Sequence, residues 1–230
     1  MTDTPSPQQL ETRVEREAAG AEEGSSAFDR KAQYKLKRKA LLYEAARLFK
    51  EGGAGKFSLT AVARNLNITK PALYYYFKSK QEILFECYSL SFDIGDKALE
   101  LALTAGGDAC QTLRLFIYHY TLAGLTELHA TMSLREMTLE PAYSKRILER
   151  RDSLHKRLRE LVVSGFADGS ITPCNSTFAV ILLIGAVAEL FKVYDPQGEL
   201  TTAQIAEQTA SLLTAGLATR IGESATLVAG

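Results

Sequence analysis

Three helix-start signals fall within 22 residues, at Ser58, Thr69 and Ser79, and leave room for only very short helices between them. A side-chain oxygen at such a position satisfies a backbone N–H that the first turn of a helix would otherwise orphan. After Ser58, the run Leu59-Thr60-Ala61-Val62-Ala63 predicts a helix ending near Asn65 or Leu66, with Phe57 placed to pack on Val62 as a staple. Leu66-Asn67-Ile68 must then turn, and Asn67 tolerates the left-handed backbone that a tight turn needs. Thr69 caps the next helix, with Pro71 in its first turn, where a missing N–H costs little. Ser79 opens another, and Glu82 three residues on predicts a capping box. A longer helix starting near Lys31 precedes the set; Leu41, Ala45, Leu48 and Phe49 give it one apolar stripe, and Gly52-Gly53 ends it. Two short helices joined by a tight turn behind a longer one make a helix-turn-helix.

Charge marks the same segment. The chain carries 27 basic and 27 acidic groups, so its net charge of zero conceals the distribution. Residues 1–29 hold 2 basic and 7 acidic groups, residues 30–80 hold 13 and 2, and residues 81–230 hold 12 and 18. One stretch of net charge +11 inside an acidic chain is the footprint of a nucleic-acid-binding module. Arg30, Lys31, Lys35, Lys37, Arg38 and Lys39 place six cations in ten residues at the entry to the first helix, suited to phosphates or a minor groove.

The run Ser58-Leu-Thr-Ala-Val-Ala, then Leu66-Asn-Ile-Thr, then Pro71-Ala-Leu-Tyr-Tyr-Tyr-Phe-Lys-Ser-Lys80 resembles the N-terminal domain of the TetR family of transcriptional regulators over residues 34–88. Asn67 stands where the family more often has Gly, and Asn adopts the same backbone geometry. Leu73 and Phe77, spaced i, i+4, face the domain core and anchor the recognition helix. Lys70 and Tyr74 share another face and point toward a major groove. Thr69 and Tyr76 suit phosphates, and Tyr75 suits a thymine methyl, a sugar or a base edge. The three tyrosines span about 200° of helical arc, too wide for all to be buried in a three-helix domain. Lys80, at the start of the following helix, can hold a phosphate together with the backbone N–H groups there. Thr60 and Arg64 share a face of the preceding helix; the resemblance favours Thr60 as a contact, and Ser58 and Ala72 complete the expected DNA-binding set.

Beyond residue 78 the pattern predicts helices near 79–105, 109–138, 142–167, 174–194 and 201–219, with no strand and no repeat. The expected fold is all-α: a disordered acidic tail (1–29), a three-helix helix-turn-helix domain (30–78), a larger helical ligand-binding and dimerisation domain (79–220) and a flexible C-terminus (221–230). The resemblance implies pairing through the last two long helices, an operator that is a pseudopalindromic double-stranded DNA, and a small effector inside the C-terminal domain. Phe178–Ala188 is apolar almost all round, which predicts burial on most sides, and Ile205, Leu212, Leu213 and Leu217 form the apolar set of the last helix. The stretch Val193–Leu200 resembles an ending found in an acyl-CoA-responsive, lipid-metabolism branch of the family, with Val193 where that pattern commonly has Trp. Lys145, Arg146, Arg150, Arg151, Lys156, Arg157 and Arg159 crowd one helix, either to meet CoA phosphates or to stay solvated or pair with Glu149, Asp152 and Glu160. Bulky candidates for the pocket lining are Phe92, Phe116, Tyr120, Met132 and Tyr143, with Arg150 as a polar partner.

No enzyme is expected. His119, His129 and His155 lack metal-ligand spacing, no Gly-rich phosphate loop or Ser elbow occurs, and Cys87, Cys110 and Cys174 form no C-x-x-C pair, so no metal or cofactor is expected either. The longest apolar run, Phe178–Ala188, is interrupted at Glu189 and falls short of a membrane span, so a soluble, cytoplasmic protein is expected. The reading is a homodimeric, ligand-responsive repressor. The alternative is an all-α ligand-binding or protein-interaction dimer without specific DNA readout.

Overall fold

The computed structural model describes residues 30–48, 58–126 and 139–219. The expected tail (1–29), the Gly52-Gly53 stop, the Phe57 staple, His129, Met132 and the C-terminus (221–230) lie outside them. The chain divides between Leu42 and Tyr43 into two units. In the first, residues 30–42 are helical, with Arg30, Lys31, Lys35, Lys37 and Lys39 exposed and Arg38 half-buried. This helix, α1, runs on to residue 48.

The second unit contains α2 (Leu59–Asn65), α3 (Lys70–Tyr76), α4 (Lys80–Ala105), α5 (Ala109–Thr126), α6 (Pro141–Asp168), α7 (Ser176–Val193) and α8 (Thr202–Ala215). The fold is all-α, with a helix-turn-helix ahead of a helical C-terminal domain, and α5 packs against α4, α6, α7 and α8. A core of α4 to α8 surrounds it, including Leu99, Leu113, Phe116, Ile117, Leu158, Val162, Val180 and Val187. The one extended contact among the described residues is an antiparallel bridge between Ile171 and Ala218, which ties the α6–α7 connection to the end of α8. Ile171 fills the space over Gly165, where a Cβ would lie 2.6 Å from its side chain.

Three expectations about the last helices need correction. In this chain α7 buries only one face, through Ala179, Val180, Leu183, Val187 and Phe191. Phe178, Ile181, Leu182 and Val193 are 65%, 53%, 71% and 69% exposed, so an almost wholly apolar helix shows an apolar stripe to the outside. Contrary to the expectation drawn from Glu189, the length and hydropathy of Ser176–Val193 meet those of a membrane span, with Glu189 and Lys192 included. On α8, Leu212 is 75% exposed, whereas Ile205, Leu213 and, just past its end, Leu217 pack half-buried against the core as expected, and the fully buried positions are Ala206, Ala210 and Thr214. Small side chains lie inward because α8 packs along α5, where bulkier ones would hold the helices apart.

Candidate nucleic-acid interface

The turn between α2 and α3 is built as its residue types require. Ser58 Oγ accepts the Ala61 N–H at 3.1 Å and starts α2. At the other end Ile68 N–H donates to Ala63 O at 2.9 Å and Asn67 N–H to Arg64 O at 3.1 Å, with Asn67 left-handed at φ 53°. These two bonds and that backbone form a Schellman motif, normally completed by Gly. Thr69 Oγ1 then accepts the Ala72 N–H at 3.3 Å and starts α3, with Pro71 in its first turn. Only Phe77, Lys78 and Ser79 separate α3 from α4. Ser79 Oγ accepts the Glu82 N–H at 3.1 Å as expected, but the Glu82 carboxylate accepts the Lys78 N–H at 2.5 Å, so the return bond of the predicted capping box falls one residue back, on the linker. Glu44 braces the other side. It accepts from Arg47 at 2.6 Å and from Asn65, at the end of α2, at 2.9 Å, and the Arg47 bond holds its carboxyl below the usual range despite some burial.

These caps and turns fix the direction of each face of α3. Leu73 and Phe77 are 1% and 2% exposed and anchor it. Tyr74 and Tyr75 are 46% and 73% exposed, Lys70 is exposed, and Tyr76 is half-buried with its ring edge-on to Tyr75 at 5.1 Å. Ser58, Thr60, Arg64, Thr69 and Lys80 are exposed as well, and Ala72 is half-buried. The result is a short helix seated by two apolar anchors, with phenol rings and an ammonium on its open side and cations at neighbouring helix starts. Such a surface can meet phosphates and base edges together.

The candidate effector residues lie on α4 to α6. Phe116 stacks on Tyr120 at 5.5 Å, and Tyr120 meets the edge of Phe191 at 5.8 Å. Burial pushes the Tyr120 hydroxyl up to about 12, so it stays a neutral phenol. Beside it in sequence, the fully buried Thr121 hydroxyl has no hydrogen-bond partner among the described residues. Thr104, Thr112, Thr126, Thr209 and Thr214 each donate instead to the carbonyl four residues back. Sequence reasoning missed Thr121, since nothing in local spacing separates it from those five. Tyr143 packs on Phe85 at 5.0 Å, away from the Phe116–Tyr120–Phe191 group by chain position, and Phe92 is half-buried on α4. Arg150 reaches Asp93 at 2.8 Å and Asp96 at 3.1 Å, and its guanidinium lies 5.7 Å from the Phe92 ring. The expected pairs Lys145–Glu149, Arg151–Asp152 and Lys156–Glu160 are present on the outside of α6.

Comparison with known proteins supports both halves. Residues 41–87 match "Bacterial regulatory proteins, tetR family", and residues 106–217 match "Tetracyclin repressor-like, C-terminal domain". Together these cover 159 of the 230 residues. A curated relative, the HTH-type transcriptional regulator AcrR of Shigella flexneri, is 33% identical over 91 residues, which are 39% of this chain and 42% of that protein. The chain thus matches about two fifths of that relative's length. Among solved structures, the ketosteroid transcriptional regulator KstR2 of Mycobacterium tuberculosis superposes with a TM-score of 0.70 at 19% identity, covering 80% of this chain and 96% of that one. The TetR family regulator PfmR of Thermus thermophilus gives 0.63 at 25% identity over 76% and 97%. AibR in complex with isovaleryl coenzyme A and operator DNA gives 0.65 at 23% over 77% and 97%. The chain belongs to the TetR family of transcriptional regulators.

Proposed function

We propose that the protein is a homodimeric repressor that binds a pseudopalindromic operator and releases it when a small lipophilic effector, of the acyl-CoA type or similar, enters the C-terminal domain. The observation that carries the DNA-binding half is the division of α3 into a buried Leu73–Phe77 anchor and an open face of Lys70, Tyr74 and Tyr75. In this reading Tyr74, Tyr75 and Lys70 meet the major groove, while Ser58, Thr60, Arg64, Thr69, Ala72, Tyr76 and Lys80 meet backbone or neighbouring edges. The exposed stripe of Phe178, Ile181, Leu182 and Val193 on α7, with Leu212 on α8, supplies the surface for a second copy. A two-fold dimer then sets its recognition helices about one DNA turn apart.

The effector half rests on the aromatic group Phe116, Tyr120 and Phe191, with Phe92, Tyr143 and Met132 as further lining candidates and Arg150 at the α4 side. The Thr121 hydroxyl, without a partner among the described residues, fits an effector with a polar atom in an otherwise apolar body, since a buried hydroxyl left unpaired costs about 1–3 kcal/mol. Binding would favour one separation of the two DNA-binding domains over another and so lower operator affinity.

Two substitutions test the DNA half. Lys80→Ala should weaken binding to specific and random DNA alike and flatten the salt dependence by about one phosphate contact. Tyr75→Ala should act mainly on the preferred site, lowering its affinity by about tenfold, in line with about 1–3 kcal/mol for a base contact, and leave random DNA almost untouched. The check is a fluorescence-anisotropy titration at two salt concentrations. If both variants weaken specific and random DNA equally, that division of roles is wrong.

A further inference from the structure

The burial pattern of α4 falls into three parts. Ile83, Leu84, Phe85, Cys87 and Tyr88 are buried near its start, and Ala98, Leu99 and Ala102 are buried near its end. Only the second group belongs to the C-terminal core. Between them, from residue 89 to residue 97, the sole buried position is Gly95. The helix therefore has a waist between two cores, and the recognition helix hangs from its first turn by the three residues Phe77, Lys78 and Ser79.

At this waist α6 touches α4 through one close approach and two cations. A Cβ on Gly95 would lie 2.7 Å from Leu154 Cδ2, so the glycine lets Leu154 press onto the α4 backbone. Arg150, one turn before Leu154, donates to Asp93 at 2.8 Å, to Asp96 at 3.1 Å and to the Ser89 carbonyl at 3.2 Å. Arg157, one turn after Leu154, donates to Asp96 at 2.9 Å. Nearer the DNA-reading end the same seam continues, with the Arg146 guanidinium 4.3 Å from the Phe85 ring and the Glu140 N–H donating to the Gln81 side chain at 3.1 Å.

We propose that Arg150 and Arg157 are positioning residues for DNA reading: they clamp the waist of α4 through Asp93 and Asp96, either side of the Gly95–Leu154 contact, and so set where α3 is held. The inference rests on the DNA-binding reading above. The four side chains are about a third to two thirds exposed, so the clamp is weak and reversible in each bond and cooperative as a group. A fully apolar seam would hold α4 more firmly but in one place. A guanidinium fork meeting two carboxylates fixes direction as well as proximity, which an ammonium does less well.

The test compares the double variant Arg150→Met/Arg157→Met, which keeps the long side-chain stems, with Arg150→Lys/Arg157→Lys, which keeps the charge. The full-length proteins are titrated against a DNA site selected by the wild type and against random DNA, below the melting temperature of each. The Met variant should bind the selected site about tenfold more weakly, within the usual range of couplings between distant parts of a protein, with random DNA unchanged. The Lys variant, which keeps the charge but not the fork, should fall between the wild type and the Met variant. Asp93→Asn/Asp96→Asn, which changes the same bonds from the α4 side, where Asp93 is exposed and Asp96 half-buried, should reproduce the Met result. If the Met and Asn variants melt earlier yet bind the selected site as the wild type does, the clamp serves stability alone and the proposal is overturned. A wild type without any preferred site would instead remove the DNA-binding reading on which it stands.

Discussion

Leu182→Glu should turn the proposed dimer into a monomer and lower affinity for a palindromic operator by at least about 100-fold. Leu182 is 71% exposed in the single chain and lies on the same side of α7 as Phe178, Ile181 and the open Gly185. In a two-fold interface each substitution occurs twice and at corresponding places, so two carboxylates would enter one apolar contact. Leaving a buried charge unpaired costs several kcal/mol, more than the contact of one leucine returns. A monomer then has to bind each half-site separately, without the gain of about 100-fold to 10,000-fold that linkage gives. Since Leu182 is mostly exposed within the protomer, the monomer should keep its helical content. Sedimentation at micromolar concentration and a gel-shift titration check both parts, and a variant that sediments as a dimer would show that another face pairs the chains.

Phe77→Ala should destabilise the DNA-binding domain by about 3–5 kcal/mol, the usual cost of truncating a fully buried phenylalanine. Phe77 is 2% exposed and is also the C-cap of α3, its N–H donating to Leu73 O at 3.1 Å. It lies outside the core formed by α4 to α8, so the loss should remain local. Specific DNA binding should vanish, while the C-terminal domain retains its helices and its pairing. Hydrogen exchange resolved by peptide measures this directly: protection should fall over residues 58–88 and persist over residues 109–125. Uniform loss of protection would mean that the two cores unfold as one.

Local chemistry was legible in the sequence wherever a residue type answers a backbone demand. Ser58, Thr69 and Ser79 cap the helices they were expected to cap, and Asn67 takes the left-handed turn. Spacing also identified Leu73 and Phe77 as anchors and predicted the exposed face opposite them. Periodicity misplaced one side of α7 and Leu212 on α8, because an apolar side chain reads alike whether it faces its own core or the outside. Ile181 and Leu182 look like core, and Ala206 and Ala210 look like filler, until the neighbouring helices are in place. The cations of α6 divide the same way. Pairs within one helix, such as Lys145–Glu149, follow from i, i+4 spacing. The pairing of Arg150 with Asp93, 57 residues away, depends on how α4 and α6 cross and has no local signal.

The central claim, that this chain reads a specific duplex as a dimer, is most directly tested by selecting bound fragments from random double-stranded DNA with the full-length protein. The selected fragment is then titrated at two salt concentrations. The account predicts a palindromic consensus with half-site centres about one helical turn apart, bound about a thousandfold or more above random DNA. Enrichment without a consensus, with affinity that depends on salt but not on sequence, would contradict it and leave the basic segment as a general phosphate-binding surface.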